Sequence, residues 1–546
     1  MRKFIILALL MVFCGACLGA DIFVATSANG GDDANDGSSL TDQGGGVGPK
    51  LTIQAAYGIA INNDIIKIGD GVYNESTNAT KYLLASATKD ITFQSNSGVR
   101  TDVTYNAVAG QSYLVRLNNN TSTLTFKNMT FNGNASLDAV INNIKGGGVG
   151  GDFVIENCVI NGNGSDCIRS SADAASTTGN ITVSGSLLTT NSEDAVIYCR
   201  DMGNLMLTDS TLDLAYTGVL VLGDVGDIEI TGNDFAGTSH KYMLLAENTV
   251  ITSLGNVTFN DNVINAGAGI VVRQYAPHVI VKNNTITVNH ATQAGYGIGL
   301  GEDDYFNDHP FEKVVCTGNT VEYTGADNSH SILIGSGCDG ALVDSNKCTG
   351  GDYQMVVKAE DVTVIRNTLA GNRPLYLKGS ANATAVNNTL YGTDNYALRW
   401  VIDAGEKPDF CNVYNNIMVS DGAAYVYQND DNPEDMYQII LDYNCIYDTG
   451  AGKLAILRAT EYDTIPALQG YWASIVDFVG TDNDSSSINE DPLFADPDNG
   501  DFTPQNKNLS TAGIGGGYIG AIQAGTETTT EISIMGPTVI NILGPN

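Results

Sequence analysis

A short phrase of residues recurs along most of this chain. It consists of two apolar residues separated by one position, then a variable residue and Asn, then a polar or small residue and a second run of apolar alternation. Thirteen instances follow one another at spacings of 21 to 35 residues. The Asn position of the phrase is filled by Asn128, Asn157, Ser186, Ser210, Asn233, Asn262, Asn284, Asn319, Asn346, Asn367, Asn388, Asn416 and Asn444. Repeats of this length are typical of solenoids, in which each unit stacks on its neighbours.

The repeat predicts an all-β, right-handed parallel β-helix with about thirteen or more rungs. Each unit holds two or three short strands with period-2 alternation, joined by turns. One such unit cannot bury its apolar face alone, whereas units stacked in parallel at ~4.8 Å form a continuous core. Asn residues at the same turn of successive rungs can hydrogen-bond along the axis. A β-propeller, with blades of ~45 residues, does not fit the spacing.

The ends of such a stack expose strand edges that need to be covered. Residues 50–60 form an amphipathic pattern, which predicts an N-terminal helix cap over the first rung. We therefore expect an N-terminal segment and cap at 21–90, the β-helix at 91–461, a C-terminal cap at 462–523 and a Thr-rich tail at 524–546.

Residues 1–20 have the pattern of a secretory signal peptide, with Arg2 and Lys3 before an apolar stretch and small residues at the expected cleavage site. The chain is therefore expected to be secreted or displayed at the cell surface. A lipid anchor at Cys17 is disfavoured, because the residues before it are a poor match. No other apolar stretch reaches the ~20 residues that a membrane span needs. The eight later cysteines are expected to be buried, and Cys338 and Cys348 are close enough in sequence to pair.

The charge balance is strongly acidic, with 61 Asp and Glu against 26 Lys and Arg and a formal net charge of −35. This excludes a typical nucleic-acid binder, which needs clustered cations. Several of the scarce cations nevertheless recur where the strand before each Asn position ends. They are Arg169, Arg200, Arg273, Lys358, Lys378 and Arg399. We expect them to form one column that binds successive carboxylates or sulfates of an anionic polysaccharide, with Arg366 as a further binding residue. Pairing with local acids such as Asp201 and Glu360 is the alternative.

Two acidic groups are further candidates. Glu302, Asp303, Asp304 and Asp308 lie in a loop that interrupts the repeat, and they predict a Ca²⁺ site, with a hydrated acidic loop as the alternative. Asp166 and Asp194 occupy the same turn of adjacent units. Such a pair suits glycoside hydrolysis, although Asp before a strand is also ordinary turn chemistry.

Three segments together resemble secreted bacterial right-handed β-helix proteins of the pectate-lyase-like superfamily. They are the opening from DIFVATSANGG to IGDGVYNE, the Asn-position repeat, and the closing SINEDPLFADPDNGDFTPQ with GGGYIGAI. The resemblance implies the β-helix fold and an extracellular, carbohydrate-facing protein. The architecture serves lyases, glycosidases, epimerases and binding proteins alike.

Residues 354–392 resemble the active rungs of the chondroitinase-B and alginate-lyase family. By that resemblance Lys358 matches the catalytic Lys, and Lys378 occupies the place of an Arg. The chain departs from the family where Gln354, Met355 and Val356 replace its acidic calcium ligands, and the His that follows the Arg is absent.

These observations predict an enzyme that cleaves an anionic polyuronate by β-elimination. Lys358, Lys378 and Arg399 are the expected catalytic residues, and Arg169, Arg200, Arg273 and Arg366 are expected to bind substrate. One alternative is a non-catalytic surface or glycan-binding protein, and another is a hydrolase that uses Asp166 and Asp194. The oligomeric state stays open.

Overall fold

A computed structural model describes residues 19–521 of the chain, apart from a set of internal gaps. The gaps are 75–86, 119–120, 146–147, 173–175, 192–194, 215–216, 238–243, 247–253, 274–275, 290–294, 302–310, 325–328, 402–410, 422–424, 430–438, 451–452, 458 and 475–482. The predicted signal peptide and the 524–546 tail lie outside the described residues.

The chain forms three long parallel sheets, and each turn of the chain adds one strand to each sheet. Within the described residues the first sheet has sixteen strands. They are Asp21–Val24, Ile65–Ile68, Ile91–Ser95, Leu124–Lys127, Phe153–Glu156, Ile181–Ser184, Leu205–Thr208, Ile228–Thr231, Val257–Asn260, His278–Lys282, Lys313–Thr317, Leu342–Asp344, Thr363–Ile365, Thr384–Val386, Cys411–Tyr414 and Ile439–Asp442. The prediction of a parallel β-helix is therefore confirmed.

The second sheet has fifteen strands among the described residues. They are Gly71–Tyr73, Val103–Asn106, Thr130–Asn132, Val159–Asn161, Leu187–Thr189, Thr211–Leu214, Asp234–Gly237, Val263–Ala266, Thr285–Val288, Thr320–Tyr323, Lys347–Gly350, Thr368–Gly371, Thr389–Gly392, Ile417–Ser420 and Cys445–Asp448.

The third sheet also has fifteen strands in the described part of the chain, and only its last strand is antiparallel. They are Tyr113–Asn118, Ala139–Lys145, Asp166–Ala172, Ala195–Arg200, Thr217–Val221, Leu244–Ala246, Ile270–Val272, Tyr296–Leu300, His330–Ile334, Tyr353–Val357, Arg373–Lys378, Tyr396–Val401, Tyr425–Asn429, Ala455–Leu457 and Thr460–Tyr462. Two small pairs stand apart from the three sheets, Gly148–Val149 with Ser176–Thr177 and Phe494–Asp496 with Asp501–Pro504.

The parallel stack begins earlier in the chain than residue 91. Asp21–Val24 pairs with Ile65–Ile68, which in turn pairs with Ile91–Ser95. The N-terminal segment therefore contributes two strands of its own to the first sheet. The helix between them, Ile53–Ile59, is capped by the Thr52 hydroxyl, which accepts from the Ala55 amide at 3.1 Å. Ile53 and Ala56 of this helix are buried in the main core, as a helix covering the first rung requires.

The interior is a continuous core of aliphatic and aromatic ladders. Phe93 stacks on Phe126 at 5.0 Å between ring centroids, and Phe126 contacts Phe153 at 5.5 Å. All eight described cysteines are buried free thiols, so Cys338 and Cys348 form no disulfide. Because the same interior position recurs on every rung, the solenoid buries its apolar residues in rows along the axis.

The predicted Asn ladder is present from Asn233 to Asn444, and these Asn side chains are buried. Ser186 and Ser210 continue it, since the Ser186 amide donates to Ser210 Oγ at 3.1 Å and the Ser210 amide to Asn233 Oδ1 at 2.9 Å. The assignment of Asn128 and Asn157 to the ladder is wrong by one position. Both residues have positive φ at the preceding turn position, and Cys158 occupies the ladder position, where its amide donates to Ser186 Oγ at 3.0 Å.

The C-terminal end is closed by the helix Ile465–Ser474 and the residues after it. Leu468 and Trp472 of this helix are buried in the main core. Ser487 ends the Asn ladder, because its Oγ accepts from the Asn444 amide at 3.1 Å. The following chain then packs on the outer face of the second sheet, where Leu509 and Ile519 form a small apolar cluster with residues of that sheet.

Short 3₁₀ helices occur at the two ends of the described chain. They are Ser27–Asn29, Pro497–Asn499, Lys507–Ser510 and Ile514–Gly516. Among the described residues, no helix has both the length and the hydrophobicity needed to cross a membrane.

Candidate functional site

The cations expected in one column lie in two columns of the third sheet. Val357 pairs with Leu377, so Lys358 and Lys378, which directly follow them, occupy equivalent positions on neighbouring strands. Arg399 instead pairs with Tyr376, and Lys378 pairs with Val401. The expectation of a single column is therefore wrong for Arg399. A shift of two residues keeps a side chain on the same face of a strand, so sequence alternation cannot distinguish the two positions.

The same two-residue shift separates the cations nearer the N-terminus. Arg169 pairs with Tyr198, whereas Arg200 pairs with Ser171. Successive register pairs, which begin with Tyr198 and end with Tyr376, place Arg169 in the column of Arg399. Arg116 and Asn142 precede Arg169 in the same column. The cations of both columns nevertheless lie in strands of the third sheet or directly after such a strand.

A stack of rings, which the repeat pattern did not predict, lies beside these cations. Tyr296, His330 and Tyr353 pair in register on three consecutive strands. Their ring centroids are 5.3 Å and 5.0 Å apart, with interplanar angles of 23° and 11°. Tyr376 extends the stack, at 6.0 Å from Tyr353. Because each ring covers the face of the next, the ring edges and polar groups are what the stack can offer to a ligand.

Glycine allows the first ring of the stack to lie close to the sheet. A Cβ atom on Gly299 would lie only 3.1 Å from Cγ of Tyr296, which shows that the ring bends back over this glycine. His330 and Tyr353 occupy the same register positions as Tyr296 on the next two strands. The rings therefore form one regular row along the axis.

Arginine side chains pack against this row of rings. The guanidinium carbon lies 5.4 Å from the ring centroid for Arg273 over Tyr296 and 4.6 Å for Arg373 over Tyr353. Arg399 lies 5.1 Å from the centroid of Tyr376. Such contacts hold a cation in place without removing its charge. We call this set the cation–aromatic strip, and it consists of Arg273, Tyr296, His330, Tyr353, Lys358, Arg373, Tyr376, Lys378 and Arg399.

Ion pairs limit the charge of part of the strip. Arg373 is paired with the buried carboxylate of Asp352, which also accepts from Asn372 Nδ2 at 2.7 Å. Lys358 is nearly buried, with 9% of its surface exposed, and Lys378 is half-buried. The strip therefore contains the ion pair of Arg373 with Asp352 and further cations at the edge of the sheet.

Arg366 is not part of this strip. It lies at the turn between the first and second sheets, after Thr363–Ile365 and before Thr368–Gly371, with a φ of 56°. Its Nε donates to Asp344 Oδ1 at 2.8 Å, and its Nη2 bonds the second oxygen of the same carboxylate. A two-point ion pair at a tight turn is a structural arrangement, and the structure does not bring Arg366 together with the other predicted binding residues.

The acidic pair proposed for hydrolysis has one member in the described chain. Asp166 is completely buried and accepts from Arg169 Nε at 2.8 Å. Asp194 lies outside the described residues. A general acid has to reach the glycosidic oxygen, and a buried carboxylate held by an arginine does not favour that role.

The predicted calcium residues Glu302, Asp303, Asp304 and Asp308 lie outside the described residues. In the part of the chain that the structure describes, no group of three or more His, Cys, Asp or Glu residues is arranged to hold a metal ion. The calcium site stays a prediction.

A sequence signal for the rings does exist. Tyr296, His330 and Tyr353 each begin a third-sheet strand, in YGIGL, HSILI and YQMVV. Aligning the units on these strands, rather than on the Asn position alone, places the three rings in one column. The period-2 pattern of these strands does not predict that the rings lie on the outer surface. In each strand the residue directly after the ring is left out of the regular pairing with the neighbouring strand.

The fold and the site together define an all-β solenoid protein with a strip of arginine, lysine and aromatic side chains along one sheet. No family model matches the chain, and no curated protein matches it. Among solved structures, one described as the complex of XylC with xylose aligns over 80% of this chain and 86% of its own, at 8% identity and a TM-score of 0.24. A rhamnogalacturonan lyase aligns over 73% of this chain and 87% of its own, at 14% identity and a TM-score of 0.19. With TM-scores this low, neither structure indicates what this chain binds.

Proposed function

We propose that this protein is an exported, carbohydrate-active β-helix protein that binds an anionic polysaccharide along the cation–aromatic strip. The observation that carries the proposal is the concentration of cations on this strip in a chain with a net charge of −35. Arg273 and Arg399 are held against rings rather than scattered over the surface. Strands of the sheet repeat at ~4.8 Å, which is close to the rise of about 5 Å per residue of an extended glycan. Carboxylates or sulfates on successive sugars could therefore meet successive rungs.

We further propose that Lys358 and Lys378 give the strip a lyase activity on polyuronates. The support is that they occupy equivalent positions on adjacent strands, as the resemblance of residues 354–392 requires. In β-elimination the neutral amine of Lys358 would accept the C5 proton of a uronate, whose carboxylate is neutralised by the neighbouring cations. The C5–H electron pair forms the C4–C5 double bond, and the bond from C4 to the glycosidic oxygen breaks. The leaving oxygen takes a proton from the Lys378 ammonium, and solvent restores both lysines.

The length of the strip favours a second candidate, a non-catalytic glycan-binding protein. The strip runs over six consecutive strands from Ile270–Val272 to Tyr396–Val401. Binding of an extended polymer uses the whole length of the strip, whereas the elimination step uses only the rungs of Lys358 and Lys378. This candidate predicts affinity for an anionic polysaccharide without turnover.

One experiment separates these outcomes. Alginate, pectate and chondroitin sulfate are incubated with the protein, with and without added calcium, and the ultraviolet absorbance of new unsaturated uronate ends is followed. Binding to the same polymers is measured by affinity electrophoresis, with neutral xylan as the control. A lyase gives rising absorbance that is lost in Lys358→Ala and Lys378→Ala but kept in Lys282→Ala, whose lysine is exposed on the first sheet. Binding without absorbance change excludes the lyase and favours the second candidate, and absence of binding to all three polymers overturns the proposed function.

A further inference from the structure

A second group of cations and rings lies on the third sheet, nearer the N-terminus. The Arg169 guanidinium lies 5.0 Å from the ring centroid of Tyr198, and that of Arg116 lies 5.7 Å from Tyr113. The Arg200 side chain is 51% exposed, and its Nε forms an ion pair with Asp201 Oδ2 at 3.5 Å. We call this the amino-terminal cluster, and it consists of Tyr113, Arg116, Arg169, Tyr198 and Arg200.

The amino-terminal cluster repeats the local arrangement of the strip. In both places an arginine on the third sheet packs against a tyrosine ring of the same or the adjacent strand. Arg116 and Arg169 lie in the column that also contains Tyr376 and Arg399, as the strand pairings show. The two groups therefore lie along one line parallel to the helix axis.

Two strands of the third sheet separate the two groups. The strands Thr217–Val221 and Leu244–Ala246 lie between Ala195–Arg200 and Ile270–Val272, and neither carries a charged residue. Three strand steps correspond to about 14 Å, and the nine steps from Arg169 to Arg399 to about 43 Å. A glycan that rises about 5 Å per residue would bridge the gap between the two groups with about three residues, and it would need about nine to extend from Arg169 to Arg399.

We infer that the amino-terminal cluster is a second polyanion contact, and that one linear anionic polysaccharide binds it and the cation–aromatic strip at the same time. The inference rests on the proposed function and specifies its ligand as a long, linear, anionic chain rather than a short oligosaccharide. Two contacts on one rigid solenoid raise the effective concentration of the second contact once the first has formed. Affinity should therefore rise steeply once a glycan is long enough to cover both groups.

Arg200 and Arg116 are the residues with which to test the second contact. Arg169 is unsuitable, because its ion pair with the buried Asp166 makes its removal a change in the fold. Lys282 and Lys313 are exposed on the first sheet. Substitution of both is the matched control, because it removes the same number of positive charges. Circular dichroism establishes that each variant keeps its β-structure.

The test measures binding of galacturonate and mannuronate oligomers of four and twelve residues by titration calorimetry, with the absorbance of unsaturated ends followed to exclude cleavage. We expect the twelve-residue oligomer to bind the unchanged protein at least tenfold more tightly than the four-residue oligomer. The Arg116→Gln/Arg200→Gln variant should lose that advantage by a similar factor, whereas Lys282→Gln/Lys313→Gln should keep it.

Each outcome supports or overturns the second polyanion contact. If the unchanged protein shows no gain with length, or if the Arg116→Gln/Arg200→Gln variant keeps the full gain, the second contact is overturned while the proposed function stands. If the unchanged protein binds neither these oligomers nor any of alginate, pectate and chondroitin sulfate, the proposed function fails together with the inference.

Discussion

The side chain and the backbone of Asn319 both donate to one oxygen of Asn346. Asn319 Nδ2 lies 2.9 Å and the Asn319 amide nitrogen 3.0 Å from Asn346 Oδ1. Asn319 Nδ2 also reaches back to the Val281 carbonyl at 3.0 Å. The same pattern links Asn346 to Asn367 and continues along the core, so each buried amide holds three rungs together. Buried polar groups that satisfy one another in this way fix the register of the stack.

Replacing Asn346 by Ala should destabilise the protein by about 2–4 kcal/mol, because two buried donors of Asn319 lose their acceptor. Asn346→Ser should cost less, since Ser210 Oγ accepts a backbone amide at an equivalent position. The measurement is the midpoint of denaturant unfolding followed by circular dichroism.

The matched control is Asn289→Ala. Asn289 is exposed, and its side-chain Nδ2 donates to Asn265 Oδ1 on the outer surface at 3.0 Å. Its removal should change the free energy of unfolding by less than about 0.5 kcal/mol. Equal losses for Asn289→Ala and Asn346→Ala would contradict the structural role of the buried ladder.

The repeat was sufficient to predict the β-helix, but the ladder position was ambiguous where a unit contains one Asn. Asn also suits the left-handed turn position directly before the ladder, which Asn283 occupies beside Asn284. In the units of Asn128 and Asn157 the single Asn takes that turn position instead. The pairing of Glu156 with Ser184 in the first sheet gives the correct alignment, because Cys158 and Ser186 each lie two residues further along the chain.

The candidate site was harder to predict than the fold. The sequence placed cations at strand ends, but a two-residue shift between Lys378 and Arg399 is invisible to a period-2 pattern. Arg366, predicted as a further binding residue, follows a strand of the first sheet and not of the third. Contacts between rungs, such as the stacking of His330 on Tyr353, depend on the register of strands that are far apart in sequence.

The eight buried cysteines should be unreactive in the native protein. Burial raises the pKa of the Cys158 and Cys199 thiols to about 12, so the reactive thiolate is scarce at neutral pH. In protein that begins at residue 21, a thiol reagent should modify none of them without denaturant and all eight in denaturant. Recovery of only six thiols in denaturant would instead reveal a disulfide, with Cys338 and Cys348 as the first pair to examine.

Arg366 and Arg399 should respond differently to the same substitution. Arg399→Gln removes a cation of the cation–aromatic strip, and we expect affinity for the polysaccharide to fall about tenfold and to become less dependent on salt. Arg366→Gln breaks the ion pair with Asp344 at a different corner of the solenoid, so we expect lower stability with unchanged affinity. Affinity electrophoresis and thermal unfolding of both variants make the comparison, and an equal loss of affinity in both would show that Arg366 contacts the ligand.

Asp484 makes the stability of the C-terminal cap depend on pH. Its buried carboxylate accepts from Tyr427 Oη and Trp472 Nε1, both at 3.2 Å, and burial raises its pKa to about 7. The nearby charge of Asp442 acts in the same direction. Because the folded state then binds this proton more tightly than the unfolded state, the contribution of Asp484 is fully present below pH ~4 and is lost as the pH rises to ~7.

Asp484→Asn should therefore flatten the pH dependence of unfolding between about pH 4 and pH 7. It should remove a difference of at most about 4 kcal/mol, because the amide keeps an acceptor for Trp472 and never ionises. Denaturant unfolding at a series of pH values measures the effect, and Asp213→Asn, at an exposed residue of the second sheet, is the control for a lost negative charge. If the two variants have the same pH dependence, the protonation of Asp484 does not control the stability of the cap.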